Sequence, residues 1–301
     1  MRCLSMIATT ILMAWLAGCS MAPRTALTSH YKTLYSPAMS KNMEYSVYTP
    51  PGWTEQEQLP LLVLLHGASD DHRTFDHHQV GEFLDTQILA GELSRVVIVN
   101  PNGDLGFWEN WYDGTRNYRD WVVKDLMPVV ASNYNTLPCP QHCFVTGMSM
   151  GAHGAIRFAY YEPETFSSVA AISGRIISRD EARNSSSIKM AIMKLMLPIN
   201  RIWGDINGSH LPKDLDPYIN WVEKPEMADI RLMLSWGDQE DSDVIASNQR
   251  FHAHLLKYHR THKAQAYHGE HLWRDWKPVI AESIRFHLQT ESESARLAHN
   301  D

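Results

Sequence analysis

The chain has 301 residues, 44% of them hydrophobic and 20% charged, a balance that fits a soluble globular core and excludes disorder over most of its length. Such a length suits one large domain or two ordinary ones. With 27 Lys and Arg against 34 Asp and Glu, the formal charge is −7, which leaves no basic excess to coat a phosphate backbone and excludes nucleic acid as the main partner.

Arg2 gives a short positive start, and an apolar run extends from Met6 to Leu16. The run is too short to span a bilayer and reads as the core of a signal peptide. It ends in Leu16-Ala17-Gly18-Cys19, which resembles a bacterial lipobox. That resemblance implies removal of residues 1–18, lipidation of the Cys19 thiol and a membrane partner through the anchor; an ordinary secretory cleavage site is the alternative. Ser20 resembles the residue that sorts such proteins to the outer membrane, facing periplasm or exterior. Loss of Arg2 with the signal leaves 26 basic against 34 acidic residues, a mature charge of −8. Cys3 leaves as well, and the remaining cysteines, Cys139 and Cys143, are expected to form a disulfide in an oxidising compartment.

Residues 19–42 are polar and dotted with Pro and Ser, and read as a lipidated tether. A catalytic domain is expected over 43–290, opening with a short edge strand at 44–48 that Pro50-Pro51-Gly52 stops. The apolar runs 59–67 and 95–103 have the pattern of strands buried on both faces. Further strands are expected at 142–151, 169–174, 231–238 and 263–271, with helices at 79–90, 118–135, 152–161, 243–260 and 273–287. The alternation predicts an α/β class chain with a mostly parallel central sheet and helices on both faces. Residues 180–228 break the rhythm and read as a cap-like excursion, and 291–301 as a polar tail.

Gly147-Met148-Ser149-Met150-Gly151 lies between a predicted strand and a predicted helix, the context of a nucleophile elbow. A serine hydroxyl needs a base to take its proton, and in this class the chain order is Ser, acid, His. His271 follows the last predicted strand, with His268 as its neighbour and competitor. The acid is expected in the loop 237–243, at Asp241, with Asp243 and Asp238 as alternatives. The backbone N–H groups of Met150 and Ala68 are expected as oxyanion donors. Trp203 and the apolar residues of 188–203 are candidates to hold an acyl or aryl group, or else fill core. The cluster His72, His77 and His78 lacks metal-ligand spacing, and no dinucleotide or phosphate-loop pattern appears, so neither metal nor cofactor is expected.

At this point LLVLLHGASDD, VNPNGDLGFWENWYDG, GMSMGAHGAIRFAYYEPETFSSVAAISG and GEHLWRDW together resemble the esterase D superfamily of α/β-hydrolases. This superfamily includes S-formylglutathione hydrolases, feruloyl and carbohydrate esterases and the antigen 85 mycolyltransferases. The resemblance implies an α/β-hydrolase fold, Ser149 as nucleophile, His271 as base and an Asp of 238–243 as acid. It also implies that Asn102, Trp108 and Trp111 lie beside the cleft as substrate-binding residues. The expected function is serine carboxylic-ester hydrolysis on small-molecule or polymer-linked esters, such as acylated or feruloylated carbohydrate. Acyl transfer to a sugar or lipid hydroxyl and a catalytically inert surface binder are the alternatives.

Overall fold

The computed structural model describes residues 29–68, 70–184, 197–205 and 215–289. The expectations for residues 1–18, for Cys19 and the segment up to 28, for the apolar stretch 188–196 and for the tail fall outside these residues. Five of the expected strands, the two apolar runs read as buried on both faces among them, form and are almost wholly buried. These are β3 (Leu61–Leu65), β4 (Val97–Pro101), β5 (Cys143–Met148), β6 (Ser168–Ile172) and β7 (Arg231–Gly237). Alternation at period two splits their side chains between two cores. Leu61, Val63 and Leu65 face one layer; Leu62 and Leu64 face the other.

Eight strands form one sheet in the order β1-β2-β4-β3-β5-β6-β7-β8, where β1 is Ser29–Ser36, β2 is Lys41–Tyr48 and β8 is Lys263–Tyr267. Strands β3 to β8 pair in parallel, while β2 pairs antiparallel with both β1 and β4. Helices α1 (Val80–Leu89) and α6 (Trp273–Leu288) cover one face through Val80, Leu84, Trp276, Ile280 and Ile284. The other face carries α2 (118–133, with a π-helical segment Trp121–Leu126), α3 (Met150–Tyr161), α4 (Pro217–Glu223) and α5 (Ser242–Lys257). This is the mostly parallel sheet with helices on both faces that the alternation predicts, in the α/β-hydrolase arrangement that the resemblance implies.

One expectation about the chain's organisation changes. Residues 29–36, read as tether, form β1, in register from Ser29 opposite Tyr48 to Ser36 opposite Lys41. An edge strand exposes most side chains on both faces, and here Ser36 alone is buried, so no apolar alternation marks it. Tyr48 in turn pairs with Ile98, so Ser29 lies towards the starting ends of the parallel strands. Within 180–228, the described parts include a helical turn Ile199–Trp203, which hooks onto a neighbouring loop through Tyr112 N–H to the Ile202 carbonyl at 3.0 Å. Cys139 and Cys143 are joined by a disulfide at the entrance to β5, with Cα atoms 5.0 Å apart.

Candidate active site

The loops that follow β3, β5, β7 and β8 gather at the finishing ends of the parallel strands, where open α/β sheets place their sites. Ser149 stands between β5 and α3 with φ 54° and ψ −114°, a positive-φ backbone that costs a non-glycine residue of order 1–3 kcal/mol. Packing enforces the turn. A methyl group on Gly147 would overlap the Gly151 carbonyl, and one on Gly151 would overlap the Leu65 carbonyl. The G-x-S-x-G spacing is therefore a steric requirement of bringing α3 against β3 and β5.

Ser149 Oγ lies 2.9 Å from His271 Nε2. On its other side the imidazole presents Nδ1 to Glu240 Oε1 at 3.4 Å, and the Glu240 side chain has no solvent exposure. A carboxylate only accepts, so Nδ1 carries the hydrogen and Nε2 is free to accept from the serine hydroxyl. The separation exceeds an ordinary hydrogen bond, as it often does before substrate tightens a site.

Glu240 stands where the sequence predicts an Asp. Asp241 points away: its carboxylate caps α5 by accepting from Asp243 N–H at 2.8 Å. Asp243 pairs with Arg175 at 3.4 Å, and Asp238 pairs with the exposed His268 at 3.1 Å. The backbone explains the choice. Asp238 and Gln239 donate to the carbonyls of Tyr267 and Gly269, at 2.9 and 3.0 Å, which lays the loop along the end of β8 and turns Glu240 inward. Gly237 permits this close approach, since a methyl there would overlap the Gly269 carbonyl. His268 is thereby occupied outside the site.

The loop after β3 passes beside the nucleophile: a methyl on Gly67 would stand 3.4 Å from Ser149 Cβ. Ala68 follows at the mouth of the cleft, and Met150 begins α3. His66 fixes this loop. Its Nε2 accepts from Gly103 N–H at 3.0 Å, so Nδ1 carries the hydrogen and donates to the Gly67 carbonyl at 2.7 Å. Burial holds the His66 pKa below its ordinary value, keeping the ring neutral. Asp70 ties the same loop to the histidine loop, accepting from Trp273 Nε1 at 2.6 Å and pairing with His78 at 3.0 Å.

A cleft of about 640 Å³ opens beside Ala68 and Asp70, lined also by Asn102, Leu105, Trp111, Arg116 and Pro198. Asn102 and Trp111 line this cleft. Trp108 does not: it is fully buried, packed edge-on against His66 at 4.9 Å and donating to the His66 carbonyl at 3.3 Å. It supports the loop from beneath instead of lining the cleft. Trp203 packs edge-on against Phe107 at 4.8 Å and His153 at 5.8 Å, in an aromatic group one helical turn beyond Ser149. His72, His77 and His78 do not converge, and among the described residues no group of three ligating side chains could hold a metal ion.

Residues 36–287 match the sequence profile of the Esterase family. An acetyl esterase of Caldicellulosiruptor saccharolyticus is 22% identical over 243 residues, 77% of this chain and 84% of that one. An esterase of Mycobacterium tuberculosis is 27% identical over 150 residues, 48% of this chain and 32% of that one. For S-formylglutathione hydrolase of Bos taurus the identity is 29% over 147 residues, 44% of this chain and 51% of that one. The matched part thus spans about a third to a half of these last two relatives. Among solved structures, a fluorophosphonate-binding serine hydrolase of Staphylococcus aureus has the same fold at a TM-score of 0.70 and 19% identity, covering 87% of this chain and 98% of that one. A ferulic acid esterase reaches 0.68 at 20% identity, covering 86% and 96%.

Proposed function

Because the chain belongs to the Esterase family, we propose that it is a serine carboxylic-ester hydrolase working through an acyl-enzyme. The observation that carries this reading is Ser149 on a strained elbow, 2.9 Å from an imidazole that a buried carboxylate faces from behind. Ser149 Oγ attacks the ester carbonyl carbon as its proton passes to His271 Nε2. The carbonyl oxygen takes up the electron pair and is held by the N–H groups of Ala68 and Met150. Collapse of this intermediate breaks the bond to the alcohol, which leaves with the proton from His271. Water then repeats the sequence on the acyl-serine, releasing the acid and restoring the hydroxyl. Glu240 holds the imidazole's tautomer and stabilises the imidazolium without being protonated.

Acylated or feruloylated carbohydrates and small esters are the proposed substrates, in keeping with the acetyl and ferulic acid esterases this chain resembles. The test is acid release from acetyl, butyryl, octanoyl and feruloyl esters by the protein and its Ser149→Ala variant. Serine-dependent release supports the reading; equal release by the two proteins rejects it. The Leu16-Ala17-Gly18-Cys19 segment supports a lipid anchor at Cys19, and Ser20 beside it supports an outer-membrane location. Palmitate incorporation that Cys19→Ala does not abolish would reject that anchor.

A further inference from the structure

The carboxylate behind His271 belongs to a closed ring of side chains. Tyr267 Oη donates to Glu240 Oε1 at 3.0 Å, the same oxygen that faces His271 Nδ1. The single tyrosine hydrogen is thereby used, so the contact of 2.6 Å between Tyr267 Oη and Ser173 Oγ has the serine as donor. Ser173 Oγ accepts in turn from Trp276 Nε1 at 3.0 Å, and the Trp276 ring closes the circle by packing edge-on against His271 at 4.7 Å. Every hydrogen in this relay points towards Glu240. Ser173 is buried and is held at φ 57°, a left-handed conformation at the end of β6, and its N–H donates to the Ser235 carbonyl at 2.7 Å.

We propose that Tyr267 and Ser173 are positioning residues that hold Glu240 and divide the charge of its Oε1 between Tyr267 and the imidazole. The proposal rests on the esterase reading above only for its effect on rate. Two donors converging on one oxygen compete for it. Chained donors also strengthen one another, so Ser173 makes Tyr267 a better donor than an isolated phenol. Burial raises the Tyr267 pKa, which keeps that hydrogen in place. The charged groups of the neighbouring loops have partners of their own: Asp238 with His268, Glu270 and Asp275 with Arg274, and Asp70 with His78.

The experiment uses full-length protein with Tyr267→Phe and Ser173→Ala. Phenylalanine keeps the ring and removes the hydroxyl, both the donor to Glu240 and the acceptor of the Ser173 hydrogen, leaving Oε1 undivided for His271. The acid limb of the kcat/KM profile for a short-chain aryl ester should then move up by about one pH unit, with kcat/KM near pH 7 falling about 3–10-fold and KM little changed. Ser173→Ala should move both in the same direction by less. The downfield Nδ1–H resonance of His271, assigned by its loss in His271→Gln, should move further downfield in both variants. An unmoved resonance and acid limb in folded variants, even with a lowered thermal midpoint, would overturn the proposal. A moved resonance in a protein whose wild type hydrolyses no ester would leave the relay standing and remove the esterase reading instead.

Discussion

The contrast between Glu240→Gln and Asp241→Asn isolates the assignment of the acid. During proton transfer His271 becomes a cation whose Nδ1 is 3.4 Å from Glu240 Oε1. At an effective dielectric of about 20, unit charges at that separation attract by about 5 kcal/mol. The His271 side chain is 39% exposed, so solvent screens part of this. About 3–5 kcal/mol remains, a factor of about 10²–10⁴ in rate. Glutamine preserves shape and volume while removing the charge, so kcat should fall by that factor with little change in KM. Asparagine at 241 still caps α5 and should leave kcat within about twofold. Initial rates on a single ester, with circular dichroism to confirm folding, decide the matter. An Asp241→Asn enzyme that loses about two orders of magnitude, or a Glu240→Gln enzyme that keeps its rate within about threefold, would refute the argument.

Other predictions concern stability. Burial, reinforced by Arg157 and Arg231 respectively, holds the pKa values of His153 and His287 well below the ordinary value near 6.5. The unfolded chain therefore binds more protons below about pH 6.5, so the stability these rings contribute is complete above that pH and falls as the pH drops towards their folded values. The loss should be about 1.4 kcal/mol per pH unit for each, seen as lower urea midpoints at about pH 5.5 than at about 7.5, and His287→Gln should flatten the slope. Gly151→Ala drives a methyl into the Leu65 carbonyl and should cost about 3 kcal/mol or more, measured by denaturant unfolding. The Cys139–Cys143 disulfide closes a very short loop, so its reduction should cost no more than about 2 kcal/mol and lower the thermal midpoint by a few degrees.

What is legible in the sequence follows from how local each determinant is. Ser149 can be read because its elbow is encoded within five residues whose glycines meet specific backbone atoms. His271 can be read from chain order, since a loop after β8 must return to the elbow. The acid cannot be read the same way. Four carboxylates lie within six residues, and hydrogen bonds to Tyr267 and Gly269, far downstream, turn Glu240 inward and leave Asp241 outside. The order Ser, acid, His admits Glu as readily as Asp, so residue type gives no guidance within that loop. Trp108 shows the same limit, because its place beneath the loop depends on His66, far away in sequence. Strand β1 is hidden for a different reason: an exposed edge strand has no apolar period to detect.

The direction of β1 also decides which way the molecule faces. Ser29 enters the sheet towards the starting ends of the parallel strands, whereas Ser149 and His271 stand at their finishing ends. Anything attached upstream of Ser29 is therefore joined to the underside of the molecule. Nine residues separate Cys19 from Ser29, a span of at most roughly 35 Å. The proposed point of attachment and the catalytic pair thus belong to opposite ends of the parallel strands, so an anchor there leaves the end that carries Ser149 unencumbered.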